Sequence, residues 1–289
     1  MRLLVFNPEN DMALADGTAG YTPPKTITQF RHDRWSLPKL WARDDDIVWD
    51  GCSALGGYDI TEVCPWGWSK ALVHSLVKVG VKREVMPSDE WIDGVRRLSS
   101  RVFTAGIQKE LGLDVEVCSE WHEVETFARS VGRTVMKSPW SSSGKGLMMA
   151  DKDCARAWME RTVRREGAVV CERWMDGRQD FAMEFRIDRD GRAYYMGLSV
   201  FHTDINGRYL YNDGDSEEEK AGSIGSQIRD GKRLPEIREW WLHRLETDDV
   251  RRYGYYGPMG VDMLVTSDGY VNPCVEINWR MTMGHASLY

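Results

Sequence analysis

Several classes of protein are excluded by what this 289-residue sequence lacks. It has no apolar run near the ~18 residues that a transmembrane helix requires. Its net charge of -7 argues against a general nucleic-acid-binding protein, which carries an excess of basic residues. The six cysteines show no Cys-x-x-Cys spacing, which argues against structural zinc and favours free thiols in a reducing compartment. Residues 1–7 turn polar too soon for a signal peptide, so we expect a cytoplasmic protein that binds neither membrane nor nucleic acid.

Familiar nucleotide and calcium motifs are absent as well. A Walker phosphate loop needs a Gly six residues before its Lys and a Ser or Thr directly after it. Around Lys145 those two positions are occupied by Pro139 and Gly146. The Gly-x-x-Gly-x-x-Gly run that ends at Gly260 precedes a predicted strand, whereas a dinucleotide-binding fingerprint follows one. The Asp and Asn spacing of an EF-hand fails around Asp213. Any nucleotide or metal site must therefore be of another kind.

A hairpin near the C-terminus carries the first candidate site. Residues 261–265 and 270–277 alternate as two strands around a Ser-Asp-Gly turn. Side chains two apart on a strand share a face, so Glu276 and Asn278 point the same way. Antiparallel pairing brings Asp262 to about the level of Glu276. Two carboxylates and an amide oxygen suit Mg²⁺; the alternative is an acidic strand face in solvent.

Two further residues of this hairpin bear on the site. Arg280 lies just beyond the metal candidates and suits a phosphate or carboxylate. Pro273 lies inside the second strand and donates no ladder hydrogen bond. That strand must therefore lie at a sheet edge or be bulged at the proline.

A second cluster suits an anion. Residues 134–137 predict a strand, 138–146 a Ser- and Gly-rich loop, and 147–150 a returning strand. Such loops let backbone N–H groups curl around an anion, and Lys137 and Lys145 add positive charge. The alternative is an ordinary hairpin loop.

In this order the two clusters resemble the ATP-grasp superfamily from about Ser99 to the C-terminus. The shared series is a basic residue opening the nucleotide domain, a strand Lys, a Ser/Gly loop, an acidic hinge at residues 169–177, and a final Asp followed by Glu-x-Asn. The resemblance implies an α/β fold in which two subdomains clasp ATP, preceded by a small parallel-sheet domain. The expected boundaries are 1–97 for the N-terminal domain, 98–175 for the first ATP-grasp subdomain and 176–289 for the second.

The resemblance also implies a set of phosphate contacts. Lys137 matches the strand lysine on the α- and β-phosphates, and Arg101 stands where many members have a lysine. The loop that folds over the β- and γ-phosphates would comprise Ser141, Ser142, Ser143, Gly144 and Lys145.

The resemblance assigns the nucleoside to the hinge and the strand after it. Glu172 matches the acid that accepts from the adenine amino group. Asp180 matches the acid on the ribose hydroxyls, with Gln179 and Glu184 as alternatives. The rest of the adenine slot would be lined by Arg173, Trp174 and Met175.

The remaining implied roles concern metal and acceptor. Asp262, Glu276 and Asn278 match the ligands of Mg²⁺, with Mn²⁺ as an alternative ion. Arg280 matches an arginine that steadies the transferred phosphate or the acceptor carboxylate. Arg186, on a predicted strand, is a second candidate for that carboxylate; its alternative is a surface ion pair.

The N-terminal third alternates strands and helices, which favours a parallel sheet. Ligands of such sheets bind beyond the carboxyl ends of the strands. Asn7, Glu9, Asn10 and Asp11 follow the first strand and are therefore candidate substrate contacts, with a capping turn as the alternative. Residues 81–86 predict another short strand. Residues 206–222 are acidic and poor in apolar side chains, which predicts a long loop, either a lid or simply solvated.

These observations predict an ATP- and Mg²⁺-dependent ligase. It would join a small-molecule carboxylate, such as an amino acid or peptide, to an amine through an acyl-phosphate intermediate. The alternatives are an ATP-grasp phosphotransferase and a nucleotide-binding protein that has lost its chemistry.

Overall fold

Three sheets organise the chain in the computed structural model, which describes residues 1–141, 146–204, 209–229 and 234–289. They have three, four and five strands, and follow one another along the sequence. No helix within the described residues has the length and apolar character needed to cross a membrane.

The first sheet is parallel, as predicted, with its strands in the order β2-β1-β3. Its strands are β1 (Arg2–Val5), β2 (Ile47–Val48) and β3 (Glu62–Pro65). The helices of this N-terminal lobe are α1 (Asn10–Asp16), α2 (Lys25–Arg34), α3 (Lys70–Lys78) and α4 (Asp89–Leu98). Because β1 is central, the loops that follow β1 and β3 meet at one edge of the sheet.

The prediction of a strand over residues 81–86 is wrong. Arg83–Val85 forms a single 3₁₀ turn instead. The Arg83 guanidinium donates to the carbonyl of Met86 at 3.1 Å and closes the turn. A β-rich composition does not outweigh such local hydrogen bonds in so short a segment.

The second sheet is antiparallel, in the order β4-β7-β5-β6. Its strands are β4 (Val115–Cys118), β5 (Thr134–Lys137), β6 (Leu147–Met149) and β7 (Val169–Arg173). Its helices are α5 (Arg101–Glu110), α6 (Trp121–Val131) and α7 (Ala155–Glu166). The inner faces of α6 and α7 bury a core of their own that includes Val124, Met136 and Met159.

The third sheet is also antiparallel, in the order β10-β9-β8-β11-β12. Its strands are β8 (Gly177–Ile187), β9 (Ala193–Thr203), β10 (Tyr209–Asn212), β11 (Gly257–Thr266) and β12 (Val271–Asn278). Its helices are α8 (Glu217–Gln227), α9 (Leu234–Leu245), α10 (Asp248–Arg251) and α11 (Met283–Ala286). One continuous apolar core joins this sheet to the N-terminal lobe, whereas the second sheet keeps its separate core.

The predicted loop over residues 206–222 is wrong where the structure describes it. Strand β10 and the start of helix α8 occupy this stretch, and residues 205–208 lie outside the described chain. Ser216 and Glu219 form a reciprocal capping box, and Ile224 is fully buried. The Ser-x-x-Glu signature was present in the sequence, but the acidic composition concealed it.

The expectation about Pro273 is confirmed. Strand β12 is at the edge of the third sheet. Its pairing with β11 shifts between the Asp262–Glu276 and Leu264–Asn272 pairs, so the ladder is irregular at the proline. Because the ladder is irregular at this point, the missing N–H of the proline does not cost the sheet a regular hydrogen bond.

Candidate active site

The C-terminal hairpin brings the three metal candidates together. Asp262 on β11 is directly opposite Glu276 on β12, and Gly260 is opposite Asn278. The side-chain amide of Asn278 donates to Asp262 Oδ2 at 3.1 Å. The period of two along β12 therefore places Glu276 and Asn278 beside Asp262 on one face.

The electrostatic surroundings of this trio favour a bound cation. Burial, together with the neighbouring Glu276 and Glu184 carboxylates, raises the pKa of Asp262 to about 8. Among the described residues no group of three Asp, Glu, His or Cys side chains could hold a metal ion, so this trio offers two carboxylates and one amide. Two carboxylates and one amide suit Mg²⁺, which keeps water and phosphate in its shell. A flip of the Asn278 amide, whose N and O are assigned rather than observed, would present that oxygen.

Arg101 reaches this trio from helix α5 of the second sheet. It is the first residue of α5, which Ser100 caps, and only 6% of it is exposed. Its Nη2 donates to Glu276 Oε1 at 2.6 Å, and its Nη1 donates to the Ser138 carbonyl at 2.9 Å. The guanidinium Nε is buried and has no partner among the described residues. A cation thus lies against one metal candidate and keeps one N–H for another acceptor.

Lys137 lies at the end of β5, beside the same hairpin. Its Nζ donates to Glu172 Oε2 at 2.7 Å and to the carbonyl of Val275 at 3.4 Å. Both members of the Lys137–Glu172 pair are buried. Since Val275 precedes Glu276, this lysine lies beside the strand that carries Glu276 and Asn278.

Only one residue of the predicted phosphate loop is described. Ser141 accepts from the Arg101 guanidinium through its hydroxyl, and its carbonyl accepts from the same group at 3.3 Å. The predicted contacts Ser142, Ser143, Gly144 and Lys145 lie outside the described residues. The start of the loop is therefore fixed against Arg101.

The nucleoside candidates are divided between two environments. Asp180 on β8 accepts from the Thr203 hydroxyl at 3.0 Å, and burial raises its pKa. Met175 is half-buried after β7, with its sulfur 3.7 Å from the amide of Asn272. By contrast, Arg173 is exposed and paired with Asp114 at 2.7 Å, and the exposed Trp174 donates to Asp176 at 2.9 Å. The carboxylate of Glu172 is engaged by the lysine described above.

Arg280 joins the hairpin to the N-terminal lobe. Its Nε and Nη2 donate to the two oxygens of Asp11 on α1 at 2.8 and 2.7 Å. Its Nη1 donates to the Met281 carbonyl at 3.0 Å. A guanidinium has five N–H groups, so two remain to meet a substrate.

The other substrate candidates are not brought to this cleft. Arg186 on β8 is exposed and does not line the cavity beside the trio. Asn7 is buried and bonds in both directions to the backbone of Gly67. Glu9 pairs with Arg31 at 2.7 Å and lines a separate cavity of the N-terminal lobe.

Asn10 is also buried, and neither atom of its amide has a partner among the described residues. A β-carbon on Gly67 would overlap this amide, so the two residues pack tightly where the loops after β1 and β3 meet. In this position Asn10 packs inside the N-terminal lobe.

A buried polar network under the cavity was not predicted as such. Glu184 is fully buried and accepts from the hydroxyls of Ser199 and Thr282, each at 2.9 Å. The Nδ1 of His285 is 2.9 Å from the same carboxylate. This network holds the turn after Arg280 against β8. The alternation along β8 gave a signal, since it puts Glu184 on the face of Asp180.

The chain was compared with known proteins by sequence and by fold. No protein-family model matches the chain. It is similar to the butirosin acyl-carrier protein–L-glutamate ligase of Niallia circulans, with 22% identity over 198 residues. The match covers 65% of this chain and 44% of that protein, so the chain spans less than half the length of this curated relative.

Solved structures match the whole fold. Biotin carboxylase from Campylobacter jejuni, in a beta-gamma-ATP complex, has a TM-score of 0.57 at 13% identity, with 99% of this chain and 67% of that chain covered. The biotin carboxylase domain of 2-oxoglutarate carboxylase from Hydrogenobacter thermophilus, with MgADP, has a TM-score of 0.53 at 10% identity, covering 99% and 68%. N5-carboxyaminoimidazole synthetase from Staphylococcus aureus, with ADP, gives 0.50 at 12% identity, covering 97% and 70%. At such identities the likeness is one of fold, and it confirms the predicted α/β fold of the ATP-grasp type.

Proposed function

We propose that this chain, which has the ATP-grasp fold, is an ATP- and Mg²⁺-dependent ligase that joins a carboxylate to an amine through an acyl phosphate. The observation that carries the proposal is that basic side chains of one sheet contact the edge strand of another sheet, where the acidic residues lie. Arg101 and Lys137 come from the second sheet, and the acidic trio comes from the third. The similarity to a carboxylate–amine ligase and to nucleotide-bound carboxylases supports this choice of reaction.

The metal ligands in this proposal are Asp262, Glu276 and Asn278. The raised pKa of Asp262 supports the assignment, because burial and the neighbouring carboxylates disfavour its negative charge until a cation binds. When bound, Mg²⁺ would neutralise phosphate oxygens and orient the triphosphate. Mn²⁺ accepts the same oxygen ligands.

The triphosphate in this proposal is held by basic groups of the first ATP-grasp subdomain. Arg101 and Lys137 would exchange their carboxylate partners for phosphate oxygens, and Ser141 with the 142–145 loop would cover the phosphates. Glu172, Asp180 and Met175 remain the proposed nucleoside contacts, with the backbone of Arg173 and Trp174 at the adenine edge. The acceptor carboxylate is assigned to Arg280, which has two N–H groups to offer, rather than to Arg186.

The chemistry needs no protein nucleophile. A carboxylate oxygen of the substrate attacks the γ-phosphorus, and the bond from that phosphorus to the ADP oxygen breaks. The amine nitrogen then attacks the acyl carbon, and the carbon–oxygen bond to phosphate breaks. The residues contribute alignment and charge stabilisation, which dominate phosphoryl-transfer catalysis.

The location of the protein is also part of the proposal. All six cysteines are free thiols, as expected for a reducing compartment. We therefore propose a cytoplasmic enzyme acting on small-molecule carboxylates and amines.

The first test is nucleotide binding. Saturating ATP or ADP with Mg²⁺ at about 100 times its Kd should stabilise the fold by about 2.7 kcal/mol, and raise Tm by about 4 °C for a chain of this size. Asp262→Asn should abolish the Mg²⁺-dependent part. The matched control is Asp268→Asn, at the exposed turn of the same hairpin, which should retain it. If neither nucleotide raises Tm, the proposed site is wrong.

The second test is chemistry with hydroxylamine as a general nucleophile. Any acyl phosphate formed from a panel of carboxylates is captured as a hydroxamate, with ADP and phosphate as the other products. Hydroxamate that requires ATP and a carboxylate supports a ligase. ADP formation with phosphate on a hydroxyl or imidazole acceptor indicates a phosphotransferase. Nucleotide binding without turnover on any panel indicates a protein that has lost its chemistry.

A further inference from the structure

A cavity of about 1090 Å³, including its open mouth, lies between the N-terminal lobe and the third sheet. One end is formed by the acidic trio, together with Thr203 and Phe201 on β9. The other end is formed by the loops after β1 and β3 and by the turn after Arg280. A molecule in the second end would meet the γ-phosphate side of the proposed nucleotide site.

The walls of the second end are aromatic. Phe6 follows β1 and Trp66 follows β3, and their rings meet edge to face with centroids 5.1 Å apart. Phe30 on α2 lies 6.0 Å from Phe6 and is 43% exposed, although a benzyl side chain gains by burial. Met283 closes the same end from the third sheet. Three rings and a flexible thioether form a surface suited to an apolar group.

The charged side chains at this end of the cavity can bind one anionic group of a substrate. Among the described residues that line the cavity, Arg280 is the one basic side chain. Asp11 takes two of its five N–H groups and the Met281 carbonyl takes a third, so two remain. A substrate with a single carboxylate can use those two, whereas a second carboxylate would lie near Asp11 and Glu184.

We propose that the carboxylate substrate of this chain is a monocarboxylate that bears an aromatic or branched aliphatic group, which binds against Phe6, Phe30 and Trp66. This inference rests on the proposed ligase function and names its substrate class. It differs from the relative that acts on L-glutamate, whose side chain carries a second carboxylate. Phe30 is the specificity residue most open to test, because its exposed ring contributes little to the core.

The test measures hydroxamate formation on two matched series of acids. One series is L-phenylalanine, L-leucine, glycine and L-glutamate; the other, without amino groups, is 3-phenylpropanoate, 4-methylpentanoate, acetate and glutarate. The apolar acids should exceed the others in kcat/KM by at least about tenfold, the scale of discrimination in an apolar pocket. Preference for glycine, acetate or a dicarboxylate would overturn the inference while leaving the ligase function intact. No hydroxamate from any acid would count against the ligase function itself, and the inference would fall with it.

Variants of one residue give an independent test. Phe30→Ala should raise KM for the apolar acid about tenfold and reduce its advantage over glycine, while Phe30→Leu restores much of that advantage. The stabilisation by ADP with Mg²⁺ should not change in either variant. Tyr58→Ala is the matched control, since Tyr58 is an exposed aromatic of the same lobe that lies outside the cavity. An unchanged preference in Phe30→Ala would contradict the proposal.

Discussion

The Asp11–Arg280 pair gives the sharpest test of how the lobes are joined. The two residues are 269 positions apart and share two hydrogen bonds of 2.8 and 2.7 Å. Their side chains are 21% and 16% exposed, so the pair is neither at the surface nor fully enclosed. Removing one partner of a buried pair costs about 3–5 kcal/mol, and of an exposed pair less than about 1 kcal/mol. We expect Asp11→Asn to cost about 2–3 kcal/mol, between these limits.

Two assays read this change. Urea unfolding should give the loss of free energy directly, and thermal unfolding should show a decrease in Tm of about 4 °C for this length of chain. The kcat/KM for hydroxamate formation should fall about 100-fold, since a guanidinium released by about 1 Å no longer aligns the acceptor. A cycle with Arg280→Gln should show coupling of about 2 kcal/mol between the two sites.

The control is the exposed pair Arg156–Glu160, whose side chains are 66% and 45% exposed. Glu160→Gln should change the free energy of unfolding by less than about 0.5 kcal/mol and leave kcat/KM unchanged. If Asp11→Asn behaves like this control in both assays, the pair does not orient Arg280 and the reasoning is refuted.

Three further variants test separate features. Gly284→Ala would overlap the buried Glu184 carboxylate, so it should cost about 3 kcal/mol in urea unfolding. The pKa of Asp50 is lowered to about 2, mainly by a hydrogen bond from the Ser53 hydroxyl in the same turn. Its negative charge therefore stabilises the fold at pH values above its unfolded pKa near 3.8. That stabilisation is lost as the pH falls through about 2. After discounting for solvent screening, Asp50→Asn should cost about 1 kcal/mol at pH 7, and the difference from wild type in urea midpoints should narrow between pH 4 and pH 3. Glu276→Gln should free Arg101 for phosphate, so ADP titrated in EDTA should bind about fivefold tighter by calorimetry, while the gain from Mg²⁺ is lost.

The hairpin could be predicted because its determinants are local. Alternation along two strands and a Ser-Asp-Gly turn are enough to fix which side chains share a face. Asp262, Glu276 and Asn278 accordingly lie together, and Pro273 lies on an edge strand. No long-range information was needed for these relations.

The docking of helix α5 was not predictable in the same way. That Arg101 contacts Glu276 depends on how helix α5 docks on strand β12, 175 residues later in the chain. Local pattern does not specify docking between elements. The resemblance to a known superfamily assigned Arg101 to the phosphates, but it did not predict the pair with Glu276.

Long-range pairings escaped prediction for a related reason. Asp11 was a candidate substrate contact after the first strand, but nothing local indicated its partner near the other end of the chain. Phe6 and Trp66 each look like an isolated aromatic in a turn, and they form a cavity wall only once β1 and β3 are adjacent. Such residues are defined by topology, which sequence periodicity does not contain.

The pairing of charges in the cleft suggests why nucleotide and metal should bind together. Each cation that we propose to bind the phosphates is already paired with a carboxylate, Arg101 with Glu276 and Lys137 with Glu172. Taking a phosphate alone would leave those carboxylates buried without partners, which is costly. A divalent cation arriving with the phosphates gives Glu276 and Asp262 a new partner as the guanidinium leaves. Binding of the complex is thus an exchange of ionic partners, whereas either component alone must break a pair without replacing it.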